Sequence, residues 1–447
     1  MGLERDPAWI RFLPVSVRPY LAGRNNLHAA MHNSGWLLFD KLVRLMLGLL
    51  VGAWVARYLG PAQYGELAYA LAYIAFFQTV STLGLDSIVV RDLVIHPERE
   101  AQVLGTAFTL RFACGIFSWL VAVLGMAVIS GWSDRSVLLV LLAGGSLVFQ
   151  AADTVDLWFQ SRSQSRRTVV AKLAAYLLSG GVKVALIVAE APLAAFAAVL
   201  AFEAMSAALG LFFSYRRFRC SQPWRLVWVQ GRQLLDESWP FILSGLSIMA
   251  YIRIDQIMIK EMLGERALGI YAVILPLSTF WQIIPTTFSV SLAPFIAKQR
   301  LAGEAQYRKT IVLVFRAFFY LGVFVALSTY FVSGWLVPLL FGTQYSEAVE
   351  ILNVHVISNV FCFMGIAHNL WLVNERHFAV RLYGTVLAGI SAVGINFLTL
   401  PWLGLIGASL AAIVAQALAA FLINVLLDRT SFWMQIEAIT FRKIKQC

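Results

Sequence analysis

Apolar residues fall into twelve blocks of roughly twenty or more, separated by short polar runs. The blocks are 36–57, 64–90, 103–130, 136–159, 168–189, 192–213, 239–259, 268–297, 310–332, 348–373, 379–400 and 404–427. Crossing the hydrocarbon core of a bilayer takes about 20 mostly apolar residues in a helix. Each block therefore predicts one transmembrane helix. Blocks 64–90 and 268–297 exceed that length and predict tilted or kinked helices. The fold class expected is all-α: a polytopic membrane protein of twelve helices.

The polar runs set orientation. Those at 1–34, 91–102, 160–167, 214–238, 298–309, 374–378 and from 428 onward, with Arg381 at a margin, hold 24 of the 35 Lys and Arg. The alternate runs hold four: Arg57, Arg135, Lys260 and Arg266. The positive-inside rule then places both termini in the cytoplasm. The net charge of +11 is thus a topology signal and an attraction to anionic membrane lipid, and it does not indicate nucleic-acid binding. At 60% apolar and 13% charged, the composition itself excludes a soluble domain, which carries about 25% charged residues. The alternate loops are short, which excludes an extracytoplasmic domain. The segment 1–34 lacks the apolar core of a signal peptide. It either lies on the membrane surface or precedes a native start at Met31.

The chain repeats itself weakly. With a shift of 204 residues, LGPAQYGELAYALAYIAFFQ (59–78) falls on LGERALGIYAVILPLSTFWQ (263–282). Matches include Gly60 with Gly264 and Gly65 with Gly269, in the turn between the first two helices of each half, where glycine permits a tight reversal. Six helices per half is an even number, so the halves are parallel repeats about an axis along the membrane normal. Such a pair encloses a central cleft. The domains expected are a 1–34 cytoplasmic segment, a first half at 35–213, a linker at 214–238, a second half at 239–427 and a tail at 428–447.

Charges inside the spans are costly, about 2.5–3.5 kcal/mol each at a helix centre, and mark function by default. The cations are Lys41, Arg44, Arg111, Lys172, Lys183, Arg253 and Arg316; the acids are Asp40, Asp86, Asp153, Asp156, Glu203 and Asp255. Asp40 and Arg44 are four apart and share a helix face, which continues through Gly48 and Gly52. Lys41, Arg44, Arg111, Lys172 and Arg316 lie at similar cytoplasmic depth in helices of both halves. With the deeper Arg253, they suit an anionic ligand, Arg by paired hydrogen bonds to phosphate oxygens and Lys as a point charge. Asp40, Glu203 and Asp255 are candidates for coupling to a proton or sodium gradient. Asp255, two residues from Arg253, points away from it, so each needs its own partner. Snorkelling to the interface is the competing reading for Lys41, Arg111 and Lys172. Pro276, Pro285 and Pro294 punctuate the eighth helix as candidate hinges, with a static kink as the alternative. His355 and His368 are read as packing residues. Neither the histidines nor Cys114, Cys220, Cys362 and Cys447 have metal-ligand spacing, so no metal or disulfide is expected.

NSGWLLFDKLVRLMLGLLVGAWVARYLGPAQYGELAYA (33–70), LGLDSIVVRDL (83–93) and LPWLGLIGASLAAIVAQ (400–416) resemble the O-antigen and polysaccharide flippases. These belong to the multidrug/oligosaccharidyl-lipid/polysaccharide exporter superfamily. Trp36, Asp40, Arg44, Gly48, Arg57, Gly60, Pro61, Gly65, Asp86, Arg91, Pro401, Gly404 and Gly407 carry the likeness. The extension 1–30 departs from it, and the first-half counterpart of 401–407 reads APLAAFA, without the glycines. The resemblance implies a non-enzymatic carrier. It would move a polyprenyl-diphosphate oligosaccharide from the inner to the outer leaflet of the bacterial inner membrane, working beside polysaccharide polymerase and assembly proteins and needing no cofactor. A multidrug exporter of the same superfamily is the rival. Its pocket would be net acidic and aromatic, whereas these spans hold grouped cations.

Overall fold

The computed structural model describes residues 25–218, 223–375 and 377–440. The surface-lying segment and the choice of start at Met31, like Cys220 and Cys447, concern residues wholly or largely outside that range. The described residues form helices and turns, without strands. The helices used below are α1 (Asn25–Ser81), α2 (Asp86–Ile95), α3 (Glu100–Ser130), α4 (Arg135–Gly144), α5 (Asp153–Ser161), α6 (Ser165–Val188), α7 (Leu193–Arg216), α8 (Trp228–Leu263), α9 (Glu265–Phe280), α10 (Ile283–Ala302), α11 (Glu304–Phe341), α12 (Ala348–His355), α13 (Ser358–Glu375), α14 (Phe378–Ala417) and α15 (Arg429–Thr440).

Ten segments among the described residues are long and apolar enough to cross a membrane. Two are double. α1 has 57 residues, about 85 Å at 1.5 Å per residue, far beyond a hydrocarbon core of about 30 Å. It reverses at Gly60, where φ is 74°. α14 departs from helical geometry at Gly404, φ 54°. These two bends divide the two longest of the ten segments. The repeat glycine Gly264 adopts φ 90°, the same left-handed region as Gly60. The glycine-poor first-half turn instead forces Glu190 to φ 52°, a conformation that costs an L residue roughly 1–2 kcal/mol.

The eighth span is broken, between α9 and α10 at Trp281–Gln282. Pro285 has no N–H for the Trp281 carbonyl, and its ring crowds that oxygen. Pro276 and Pro294 sit inside continuous helix, so only Pro285 lies at a break.

The two halves meet unequally. Toward the face opposite the basic loops, one apolar core includes Ala56, Leu59 and Leu67 of the first half and Leu268, Tyr271 and Tyr345 of the second. Toward the basic face the cores divide, one around Leu85, Leu104 and Trp158 and another around Phe315, Phe363 and Trp371. Cross-half hydrogen bonds reinforce the shared end. Tyr345 donates to the Ala56 carbonyl at 2.8 Å, Gln344 to that of Arg57 at 2.8 Å, and Tyr69 to Glu261 at 2.9 Å.

The connection between halves is docked. Trp224 Nε1 donates to Tyr215 Oη at 2.8 Å, and the Val227 amide to Thr106 Oγ1 at 3.0 Å. The first turns of α8 remain on the first half, through Leu234 in its core and Glu237 paired with Arg91 at 2.6 Å. The rest of α8 packs on α14, α9 and α1.

Candidate transport cleft

Most in-span charges are matched within their own half. Arg44 Nε meets Asp40 Oδ1 at 2.8 Å, as expected of residues one helical turn apart. Its guanidinium lies 4.9 Å over the Tyr176 ring, and Tyr176 Oη donates to the Arg44 carbonyl at 3.0 Å. The charged stripe of α1 therefore meets protein, on α6. Lys41 is exposed. Arg111 is 2% exposed and reaches Asp86 at 2.7 Å, tying α3 to the start of α2; its Nε is buried without a partner. Lys172 of α6 bridges Asp153 and Asp156 of α5, each at 2.7 Å. Lys183 lies 3.9 Å from Glu203, which also accepts from the Ser179 hydroxyl.

Arg316 has a different use. Its Nε and Nη2 donate to the carbonyls of Ala438 and Glu437, each at 3.2 Å, and Arg308 pairs with Glu437 at 3.0 Å. These are the unsatisfied carbonyls at the end of α15, where a cation is favoured. The expected tail thus includes a docked helix, with Met434 and Ala438 buried in the second-half core. Arg316→Gln is expected to lower thermal stability by about 1–3 kcal/mol, the worth of buried hydrogen bonds to a charged group. It should release α15, read as faster amide hydrogen exchange across 429–440.

Of the six predicted cations, Arg44, Arg111 and Lys172 thus each meet a carboxylate of their own half, Arg316 meets main-chain carbonyls, and Lys41 is exposed. Arg253 stands apart. It is part-buried, and its Nη1 makes a long 3.4 Å contact with Gln256 Oε1. Its Nε and the Gln256 Nε2 are buried without partners. The face of α8 carrying Gln256 is turned to the first half, where a Cβ on Gly245 would lie 2.7 Å from Thr79 Cγ2 of α1; at roughly 100° per residue Arg253 lies about 80° round from Gly245. Gln256 follows Gly245 by eleven residues, three helical turns, on that same face. Asp255 points elsewhere, accepting from Tyr271 Oη at 2.6 Å and from the Gln256 amide at 2.8 Å.

Within the first half, a cavity of about 330 Å³ opens between α1, α6 and α7. Gly48, Gly52 and Gly180 keep its walls low, and Tyr176, Ser179 and Lys183 form its polar edge.

The sequence reading missed a polar chain in the second half. His355 Nδ1 lies 3.1 Å from Ser278 Oγ. Asn359 donates to the Ser278 carbonyl at 2.9 Å, and Gln282 Nε2 to Asn359 Oδ1 at 3.2 Å. His355 is thus part of a hydrogen-bonded array as well as packed. The signal was present: Tyr271, Ser278 and Gln282 are seven and then four apart, and His355 and Asn359 four apart, which puts each set on one helix face.

Residues 30–300 match the family described as polysaccharide biosynthesis protein. The chain belongs to this family. No curated protein matches it at significant sequence similarity. Among solved structures, the family member's fold is similar to the lipid II flippase MurJ in an inward closed conformation, with TM-score 0.67, 13% identity, and 92% of this chain and 91% of that one covered. It is similar to an inward-facing multidrug resistance MATE family transporter of the MOP superfamily, with TM-score 0.65, 13% identity and coverage of 90% and 96%. It also resembles a MOP superfamily transporter from Pyrococcus furiosus described as having a binding pocket of reverse polarity, at TM-score 0.60, 13% identity and coverage of 93% and 96%. At these identities the likeness establishes the fold. The all-helical fold expected from the sequence is found.

Proposed function

We propose that this protein flips a polyprenyl-diphosphate-linked oligosaccharide from the cytoplasmic to the outer leaflet of the bacterial inner membrane, by alternating access between its halves. Membership of the polysaccharide biosynthesis family supports the glycan, and the fold shared with a lipid II flippase supports a lipid-linked one. The observation that carries the reading is Arg253, a part-buried cation in a span that makes no salt bridge among the described residues and whose Nε has no partner. A diphosphate supplies the paired oxygen acceptors that a guanidinium fits. The divided cores at the basic face suit entry from the cytoplasm, and the shared core closes the other end. The sugar hydroxyls need such a polar shelter, because crossing hydrocarbon unpaired costs several kcal/mol each. Lys41, exposed on α1, assists the same head group from the cytoplasmic rim.

Deleting the gene is expected to leave a lipid-linked glycan accumulating in the inner leaflet, with its synthesis intact. The purified protein in vesicles should move that lipid and not amphiphilic cations. Cation export without glycan movement would replace this reading with the multidrug one.

A further inference from the structure

The in-span acids differ in one respect. Asp40, Asp86, Asp153, Asp156 and Glu203 each pair with a cation fixed in the chain: Arg44, Arg111, Lys172 for both, and Lys183. Asp255 forms no ion pair among the described residues. Two donors face it, the Tyr271 hydroxyl and the Gln256 amide. Asp255 is part-buried, where a carboxylate without an ion pair is costly, and a mobile cation removes that cost. Which cation follows from the surroundings. A sodium ion needs several oxygen lone pairs, and the groups on Asp255 are an O–H and an N–H turned toward it. A proton needs only the carboxylate.

We propose that Asp255 is the coupling carboxylate and that the ion it carries is a proton. This inference rests on the alternating-access reading above and narrows its three ion-coupling candidates to one. Tyr271 is the reporter. With Asp255 ionised, the phenol donates a charge-assisted hydrogen bond that holds α9 on α8. When Asp255 accepts a proton it becomes a carboxylic acid, and that bond falls to the strength of a neutral one. Tyr271 is two residues from Gly269, whose backbone crosses Pro61 of the first half. The charge on Asp255 thus acts on the helix that closes the outer end. The closed end binds fewer protons, so acid opens it.

The neighbours of Asp255 leave it as the acidic site. α8 itself brings Arg253, turned to Gln256, and Tyr251. α9 brings Tyr271, and α1 brings Tyr69, bonded to Glu261 further along α8. α12 brings His355, edge-on to Tyr271 at 5.8 Å between ring centres, and α13 brings Cys362.

The test uses the full chain in nanodiscs, without substrate, so its result does not depend on which molecule is flipped. With Cys114, Cys220, Cys362 and Cys447 replaced by Ser, spin labels at Trp132→Cys and Trp402→Cys report the separation of the halves at the outer face. Both tryptophans are exposed there, at 69% and 86%. The ratio of separated to closed populations is expected to rise as pH falls, by up to about tenfold per unit, the limit for one proton. Asp255→Asn should hold the low-pH distribution at every pH, and Tyr271→Phe should favour separation while keeping some pH response. Glu203→Gln, Asp40→Asn and His355→Gln should retain the response of the parent. A normal pH response in Asp255→Asn, its loss in His355→Gln alone, or a distribution set by sodium at constant pH would each overturn the assignment. Failure of glycan flipping with this pH response intact would overturn the substrate and leave the proton site standing.

Discussion

Adding a single methyl group at Gly65 or Gly269 is expected to force apart the end of this protein opposite its basic loops and to cut the proposed export severely. The two glycines occupy equivalent places, 204 residues apart, and each packs on the other half. A Cβ on Gly65 would fall on the Glu265 carbonyl oxygen and lie 2.9 Å from the Gly269 amide nitrogen. A Cβ on Gly269 would fall on the Pro61 carbonyl oxygen. Pro61 and Glu265 are themselves 204 apart, so the contact is a near-symmetric crossing of α1 and α9 at backbone distance. The obstacle is main chain in both cases, and no rotamer change can relieve it. Overpacking costs about 1–3 kcal/mol, and here the cost falls on the closed state alone. Since 1.36 kcal/mol is a factor of ten, closure should weaken by roughly 5- to 150-fold. Gly65→Ala, Gly269→Ala and the pair should have similar effects, because all three separate one seam. Protein levels should stay normal, while a cysteine in place of buried Tyr69 becomes reactive to a membrane-impermeant thiol reagent from outside. Unchanged labelling with wild-type export would show that the seam does not close that end.

That crossing also measures how much the sequence revealed. The 204-residue repeat and its glycines were legible, and so was their place in the turn. Their division of labour was not. Gly60 and Gly264 serve the turn through φ, whereas Gly65 and Gly269 serve an approach between two helices far apart in the chain. A local pattern cannot distinguish the two uses. The spans were legible because the bilayer demands about 20 apolar residues of every crossing. The breaks at Trp281–Gln282 and at Val356–Ile357 interrupt blocks that hydropathy reads as continuous. Charges were the least legible feature. The Asp40–Arg44 pair follows from helical spacing, but Arg111–Asp86 and Lys172–Asp156 join different helices. Arg316 bonds main-chain carbonyls more than 120 residues away. Depth in the membrane put these cations in one class, and tertiary packing assigned each a separate partner.

Arg253→Gln is expected to abolish glycan export with membrane levels near normal, and the contrast with Arg44 gives that result its meaning. Removing Arg44 strands the part-buried Asp40, so Arg44→Gln alone should impair the protein through an uncompensated acid, by less than the roughly 3–5 kcal/mol of a fully buried pair. Adding Asp40→Asn should then restore much of the function if neutralising Asp40 is what Arg44 does. If Arg44 also grips the diphosphate, the double variant stays inactive. Arg253 makes no salt bridge among the described residues, its neighbour Asp255 is held by Tyr271 and the Gln256 amide, and its Nε already lacks an acceptor. Its removal leaves the resting protein little changed and subtracts from the loaded state. Losing hydrogen bonds to a charged ligand costs about 1.5–3 kcal/mol, a fall of roughly 10- to 150-fold in affinity for a polyprenyl diphosphate. Arg253→Lys keeps the charge and loses the paired geometry, so it should bind with intermediate affinity. Full export by Arg253→Gln, or equal binding by all three forms, would take the head group away from this residue.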